Sequence, residues 1–450
     1  KYLMQASIRR DGSSKFGKNN KYGVFPSFAL GWKVTEEDFM KDQSVFDFLK
    51  LRFSWGEAGS DNALSNYDFV ALISQGTNSS NGGYVFGSPQ ASYSGGIARD
   101  LENPDLQWET NISSNIGVDY SVLDKKLKGS VNYYNTKTKD LLIVKEVPLS
   151  SGVRNPVINV GEFENSGVEF ELGYDENFNN VKFSTFATFS TLNSEVTKLA
   201  RSGQILRGNG LLFGSDHFVN QTKVGYEPGA YFLPVANGIF QTQAEIDAHD
   251  PNHTLQPDAK PGDVRFIDQN GDGVINNEDE VYLGSALPKY EYSLNLSADY
   301  KGIDFNVFFQ GVGGNKIYNG NRFQTIGIDT GRNFEASTLN AWTPNNTNTD
   351  IPRAVLGDPN RNNRASSRFL EDGSYLRIKT IQVGYSLPKS ILERVNISKF
   401  RFFITGQNLF TFTNYSGLDP EVGGSILSRG VDRTLYPKYK SVILGTQIQF

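Results

Sequence analysis

The chain contains no cysteine, which excludes disulfides and thiolate metal sites and leaves the compartment unreadable from redox chemistry. Histidine is nearly absent too, and His217, His249 and His253 all fall between residues 198 and 288. The pair in "HDPNH" could form a metal clip, although such residues are more often plain polar loop. No window approaches the roughly 18 to 20 apolar residues that a membrane-spanning helix needs. A mean hydropathy of -0.42 would then suggest a soluble protein. Membrane β-barrels escape that inference, because they alternate lipid-facing apolar and inward polar residues. There is no excess of positive charge: 44 Lys plus Arg stand against 49 Asp plus Glu, so nucleic acid is not an expected partner. No nucleophile elbow or zinc-protease spacing occurs, and "GVGGNK" at 311–316 lacks the Gly-Lys-Ser/Thr ending of a phosphate loop, so no enzyme activity is expected. Nor does a signal peptide precede the strand-like pattern at Lys1, from which the chain is expected to be the C-terminal part of a longer protein.

What the chain does have is glycine, aromatics and period-2 patterning. In 106–121, Trp108, Thr110, Ile112, Ser114, Ile116, Val118 and Tyr120 share one face, opposed by Glu109, Asn111, Ser113, Asn115, Gly117 and Asp119. Strands of soluble sandwiches average about 5 to 6 residues. Tilted membrane strands need about 9 to 11, so this length favours a barrel. The same alternation places Leu49, Leu51, Phe53 and Trp55 opposite Lys50, Arg52 and Ser54. Tyr290, Tyr292, Leu294, Leu296, Ala298 and Tyr300 oppose Glu291, Ser293, Asn295, Ser297 and Asp299, with aromatics at both ends of the apolar face, as at two membrane interfaces.

Twelve strands are expected, near 1–10, 22–34, 48–56, 107–120, 127–143, 166–175, 181–197, 289–300, 302–312, 374–387, 399–412 and 439–450. Their connections alternate between long (57–106, 198–288, 313–373) and short (121–126, 176–180, Lys301). That asymmetry is the outer-membrane pattern, with the long loops outward. In the last strand Val442, Leu444, Ile448 and the terminal Phe450 share a face, which reads as an assembly signal for barrel insertion. Lys50, Arg52, Glu109, Asn111, Glu169, Glu171 and Asn295 are the candidate lumen-facing residues.

One stretch departs from this pattern. "FIDQNGDGVINNEDEV" at 266–281 places Asp268, Asn270 and Asp272 at positions 1, 3 and 5 of a loop, Gly273 at 6, the Val274 carbonyl at 7, Asn276 at 9 and Asp279 at 12. Hard oxygen donors around a turn glycine are what Ca2+ coordination requires, although position 12 usually holds the longer Glu. The competing interpretation is an Asn/Gly/Asp-rich turn without metal.

Several long blocks carry a family resemblance: "RRDGSSKFGKNNKYGVFPSFALGWKVTEEDF" at 9–39, "PGDVRFIDQNGDGVINNEDEVYLGSALPKYEYSLNLSADYKGIDFNVFFQGVGGNKIYN" at 261–319, "WTPNN" at 342 and "RFLEDGSYLRIKTIQVGYSLP" at 368–388. They resemble the SusC/RagA family of TonB-dependent outer-membrane transporters. The resemblance implies an all-β transmembrane antiparallel barrel of about 22 strands, closed by an N-terminal plug. This chain would supply the C-terminal twelve, with 198–288 as a long extracellular loop. It also implies a SusD-like surface lipoprotein as partner, energy from the TonB complex through the missing N-terminal part, and import of oligosaccharides or peptides across the outer membrane. The rivals are a soluble or surface all-β glycan-binding or adhesion protein, and a passive porin without a plug.

Overall fold

The structure is a computed structural model that describes residues 1–450 except 79–81, 99, 145–149, 151, 154–155, 209–217, 328–332 and 394–396. The residues expected to alternate do form one antiparallel sheet. Its strands are β1 (Tyr2–Gly12), β2 (Tyr22–Lys33), β3 (Phe46–Ser60), β4 (Glu109–Val122), β5 (Leu127–Lys139), β6 (Glu162–Phe178), β7 (Val181–Thr191), β8 (Tyr290–Tyr300), β9 (Ile303–Gly313), β10 (Tyr375–Ser386), β11 (Lys399–Thr413) and β12 (Ser441–Gln449). They hydrogen-bond in sequence order, each to the next, so every connection is a hairpin or an elaborated hairpin.

Two boundaries differ from expectation. The strand expected over 127–143 stops at Lys139, because Asp140 takes a left-handed φ of 55°. Leu142–Val144 then leaves the sheet to pair with Val157–Asn159. The strand expected over 181–197 breaks after Thr191. Its continuation, Asn193–Lys198, stays in the sheet after an interruption at Leu192 and pairs with the start of β6.

Residues directly opposite in an antiparallel pair share a face, so the register carries one face from strand to strand. Met4 pairs with Leu30, Leu30 with Phe53, Phe53 with Ile116, and Ile116 with Tyr133. Further along, Leu296 pairs with Val307, Val307 with Ile381, Val383 with Ile404, and Ile404 with Leu444. Many of these apolar side chains are exposed, with Met4 and Leu444 each 78% accessible. A soluble protein does not display that much contiguous apolar surface. The face belongs against lipid.

By contacts the chain divides into two compact units, Lys1–Glu171 with Asn193–Gln204, and Leu172–Leu192 with Ile205–Phe450. The first has a small cluster of Phe16, Leu64, Leu106 and Leu142 beneath its loops. The second has a larger one. Val219, Tyr231, Leu233, Ala286, Tyr318, Ile326, Ala365, Phe369 and Val431 form a buried core that draws on the connections 198–288, 313–373 and 413–438. Short strands knit these connections together: Lys316–Asn319 pairs with Leu370–Asp372 and, in parallel, with Val431–Asp432. The Tyr231 hydroxyl donates to the Gly430 carbonyl at 2.8 Å. Gly430 has to be glycine, since its φ is 76° and a Cβ there would lie 2.3 Å from both Ala286 and the Tyr231 oxygen. The three long connections therefore fold as one body with its own aqueous-type core.

Candidate functional site

The polar face of the sheet is built by the alternate positions of the same strands. Lys50 and Arg52 on β3 lie across from Asp119 and Gly117 on β4. Arg52 Nε meets Asp119 Oδ1 at 2.9 Å and Lys50 Nζ meets its other oxygen at 3.4 Å, while a second Arg52 nitrogen donates to Asn132 on β5. Gly117 makes room for this: a Cβ would lie 3.0 Å from the guanidinium carbon of Arg52. Asn111 accepts from Thr138 at 2.6 Å, and Glu171 accepts from Ser130 at 3.2 Å. Asn295 accepts from Asn306 at 2.8 Å, placing it among Ser297 and Asn306 of β8 and β9. Glu109 pairs with Ser60 at the end of β3, and Glu169 precedes Glu171 by two on β6. The polar face is thus a hydrogen-bonded ladder with most of its members engaged by neighbours.

Sequence reasoning placed Asp119 on the polar face but not as the partner of Lys50 and Arg52. It also missed the Arg401 pair with Asp304, and Arg377, whose guanidinium meets Asp419 at 2.7 Å and Glu421 at 3.2 Å. Charged residues at polar-face positions are the signal, but Asp304 and Arg401 sit two strands apart and Asp419 and Glu421 come from the 413–438 connection, so reading the pairs needs the fold.

The calcium-type loop lies in the second unit and sits on that unit's loop body. Ile275, at position 8, is buried with Val264 and Phe266, which anchors the loop from below. Asp268 accepts backbone N–H groups from Gly271 at 2.7 Å and Gly273 at 2.9 Å. Asp279, fully buried, accepts from Gln269 at 2.7 Å and Asn276 at 2.8 Å. Asp272 accepts from Val274 at 2.9 Å, and Asn270 from Asp272 at 3.0 Å. Hydrogen bonds from the Gly273 and Gly271 amides hold the Asp268 carboxyl below the usual carboxylate range, with the Asp279 carboxyl beside it. The donor set, three carboxylates with two amides and the Val274 carbonyl, fits a hard cation in type. In this arrangement the carboxylates face backbone amides, and no three acidic or histidine side chains converge as a metal site among the described residues.

The histidine pair does not form a clip. His249 caps the Phe266 carbonyl at 2.9 Å, and His253 lies 3.7 Å from Asp247. His217 is outside the described residues. Phe450 follows β12 and is 89% exposed.

A sheet of long antiparallel strands with a continuous exposed apolar face, a polar ladder behind it and a folded body on its long connections can now be compared with known proteins. The family described as "TonB dependent receptor-like, beta-barrel" matches residues 1–409. The chain belongs to this family, whose barrels lie in the outer membrane. TonB-dependent receptor P3 of Formosa agariphila is 34% identical over the whole chain. TonB-dependent receptor SusC of Bacteroides thetaiotaomicron is 29% identical, again over the whole chain. The chain spans 44% and 42% of these two proteins, less than half of each. Among solved structures, a chain of the RagAB peptide transporter superposes with a TM-score of 0.82 at 24% identity, covering all of this chain and 46% of that one. The resemblance to SusC and RagA read from the sequence blocks is therefore confirmed, as is the transmembrane antiparallel barrel.

Proposed function

We propose that the full-length protein is a SusC-like importer that carries oligosaccharides or peptides across the outer membrane with energy from TonB and a SusD-like lipoprotein as lid. The observation that carries this is the loop body. Three connections spend a shared core, with Tyr231, Tyr318 and Phe369 fully buried, on a structure that strand connection does not require. A barrel with so large a preformed surface has something to dock. The relatives' names point the same way: one structural neighbour is a peptide transporter, and one sequence relative is SusC. Transport rather than catalysis is what the family supports.

Within that function the polar ladder around Lys50, Arg52, Asn111, Glu171 and Asn295 would line the import path, and Phe450 would serve barrel assembly. Ca2+ would gather the oxygens of Asp268, Asn270, Asp272, Val274, Asn276 and Asp279 as a structural ion on the outer side. Purification of the full-length protein from native membranes in mild detergent should co-isolate a surface lipoprotein, and deleting the lipoprotein or blocking TonB should abolish uptake. Uptake that persists without TonB would make the protein a passive porin instead.

A further inference from the structure

Next to the calcium-type loop is a small polar cleft of about 80 Å3, lined by Arg207, Gln221, Asn276, Asn277, Glu280, Arg361 and Arg364 with a few apolar side chains. That volume is several times the roughly 10 to 15 Å3 that one water needs, so the cleft admits a substituent and one edge of a ring.

Its charge is unbalanced. Three guanidiniums line it against one carboxylate, and none of the three has a carboxylate within ion-pair distance among the described residues. Arg207 lies over the Phe218 ring at 5.5 Å and Arg364 over Phe266 at 4.5 Å, so both forks are held by aromatic faces rather than by acids. The other nearby acids are occupied. Asp279 accepts the Gln269 and Asn276 amides, and Asp358 accepts those of Asn362 and Asn363, each at 2.7 or 2.8 Å. Burial, with the neighbouring charge of Arg361, lowers Arg364 to about 10 against the opposing charges of Asp358 and Asp279.

A second observation specifies more than an anion. Gln221 is 2% exposed, its Nε2 donates to Glu280, and its Oε1 has no partner. A buried acceptor left alone is costly, and a bare anion cannot relieve it because it has no proton to give. A ligand that brings a negative group for the arginines and a hydroxyl donor for Gln221 would satisfy both at once. Asn277 and Glu280 offer further acceptors along the same wall. A peptide C-terminus supplies a carboxylate but only one adjacent N–H, whereas an acidic sugar supplies a carboxylate or sulfate flanked by several hydroxyls.

We infer that this cleft binds an acidic sugar residue, its anionic group held by Arg207, Arg361 and Arg364 and a neighbouring hydroxyl donating to Gln221. This names a substrate class for the import reading above and rests on it. Binding and uptake are separate measurements, so the two can fail separately: lost uptake with intact binding would indict the import reading alone.

The test is calorimetric titration of the full-length protein in detergent with glucuronate, glucose, acetate and the dipeptide Ala-Ala. Glucuronate should bind about tenfold or more tighter than each of the others. Arg207→Gln with Arg361→Gln should weaken glucuronate about tenfold while leaving glucose unchanged. Both arginines are exposed, so the fold should tolerate the change; Arg361→Lys, which keeps the charge and loses the fork, should give a smaller loss. Equal binding of glucose and glucuronate, acetate matching glucuronate, a preference for Ala-Ala, or indifference to both sets of variants would each overturn the assignment.

Discussion

The sheet and the loop body of this protein use apolar residues in opposite ways. In the sheet, Tyr2, Met4, Ile8, Ile116 and Leu444 point outward and are exposed, and the polar side chains are the ones that bond to one another. In the loop body, Tyr231, Tyr318, Phe240, Phe266 and Phe369 are fully buried, beside buried polar residues such as Asp263 and Asp279 that are hydrogen-bonded, as inside a protein surrounded by water. One chain thus follows two solvents. The lesson is that burial is a statement about the surrounding medium: an exposed Leu on the strands and a buried Phe in the loops are each removed from water.

Breaking the loop body should have the largest effect, and it should stay local. Phe369 packs edge-on against Phe323 with ring centroids 5.3 Å apart and lies 6.0 Å from Tyr318. Phe369→Ala should destabilise the body by about 3 to 5 kcal/mol. Limited proteolysis within 198–288 and 313–373 should rise sharply while the barrel keeps its heat-modifiable electrophoretic mobility. A loss of barrel mobility would show that the two regions are not independent.

The complementary change attacks the sheet. Ile116 is central in β4 and pairs with Phe53 and Tyr133 on the apolar face. Ile116→Arg should cost about 2 to 4 kcal/mol of insertion, read as reduced folded yield in lipid vesicles. The same substitution at Asn115, on the polar face, should be nearly neutral. Equal yields for both would invert the face assignment. Removing Phe450 should lower assembly yield by less, with the residual barrel unchanged in stability.

The contrast also explains what could be read from the sequence. Strand positions were legible because alternation is local: each strand such as Tyr290–Tyr300 declares both faces within its own residues. The loop core was not, because Val219, Tyr318 and Val431 come from separate connections and share no period. For the same reason the charge partners of Lys50 and Arg52 were hidden: the 57–106 connection separates β3 from β4, so register had to come from three dimensions. The calcium-type loop was visible because its donors are contiguous. The arginine cleft was invisible because Arg207 and Arg361 are brought together only by the folded body.

The smallest expected effect lies in the calcium-type loop, at Asp268 to Asp279. A Ca2+ site of the extracellular type, with affinity of roughly 0.1 to 1 mM, would be about half to nine-tenths filled at about 1 mM calcium. Linkage then limits its stabilisation of the loop to about 0.4 to 1.4 kcal/mol. Nicking within 198–288 should therefore rise about two- to tenfold on chelation, or in Asp268→Ala with Asp272→Ala, if cleavage follows the open population. The Asp268 carboxyl titrates below its ordinary value, so the stability it contributes is present above about pH 4 and is lost as pH falls through the lower folded value. Protection by calcium should accordingly hold from neutral pH down to about pH 4 and fade below it. Nicking that ignores calcium at neutral pH would leave Asp268 and Asp279 as acceptors for backbone amides alone, and the loop as a turn held by hydrogen bonds.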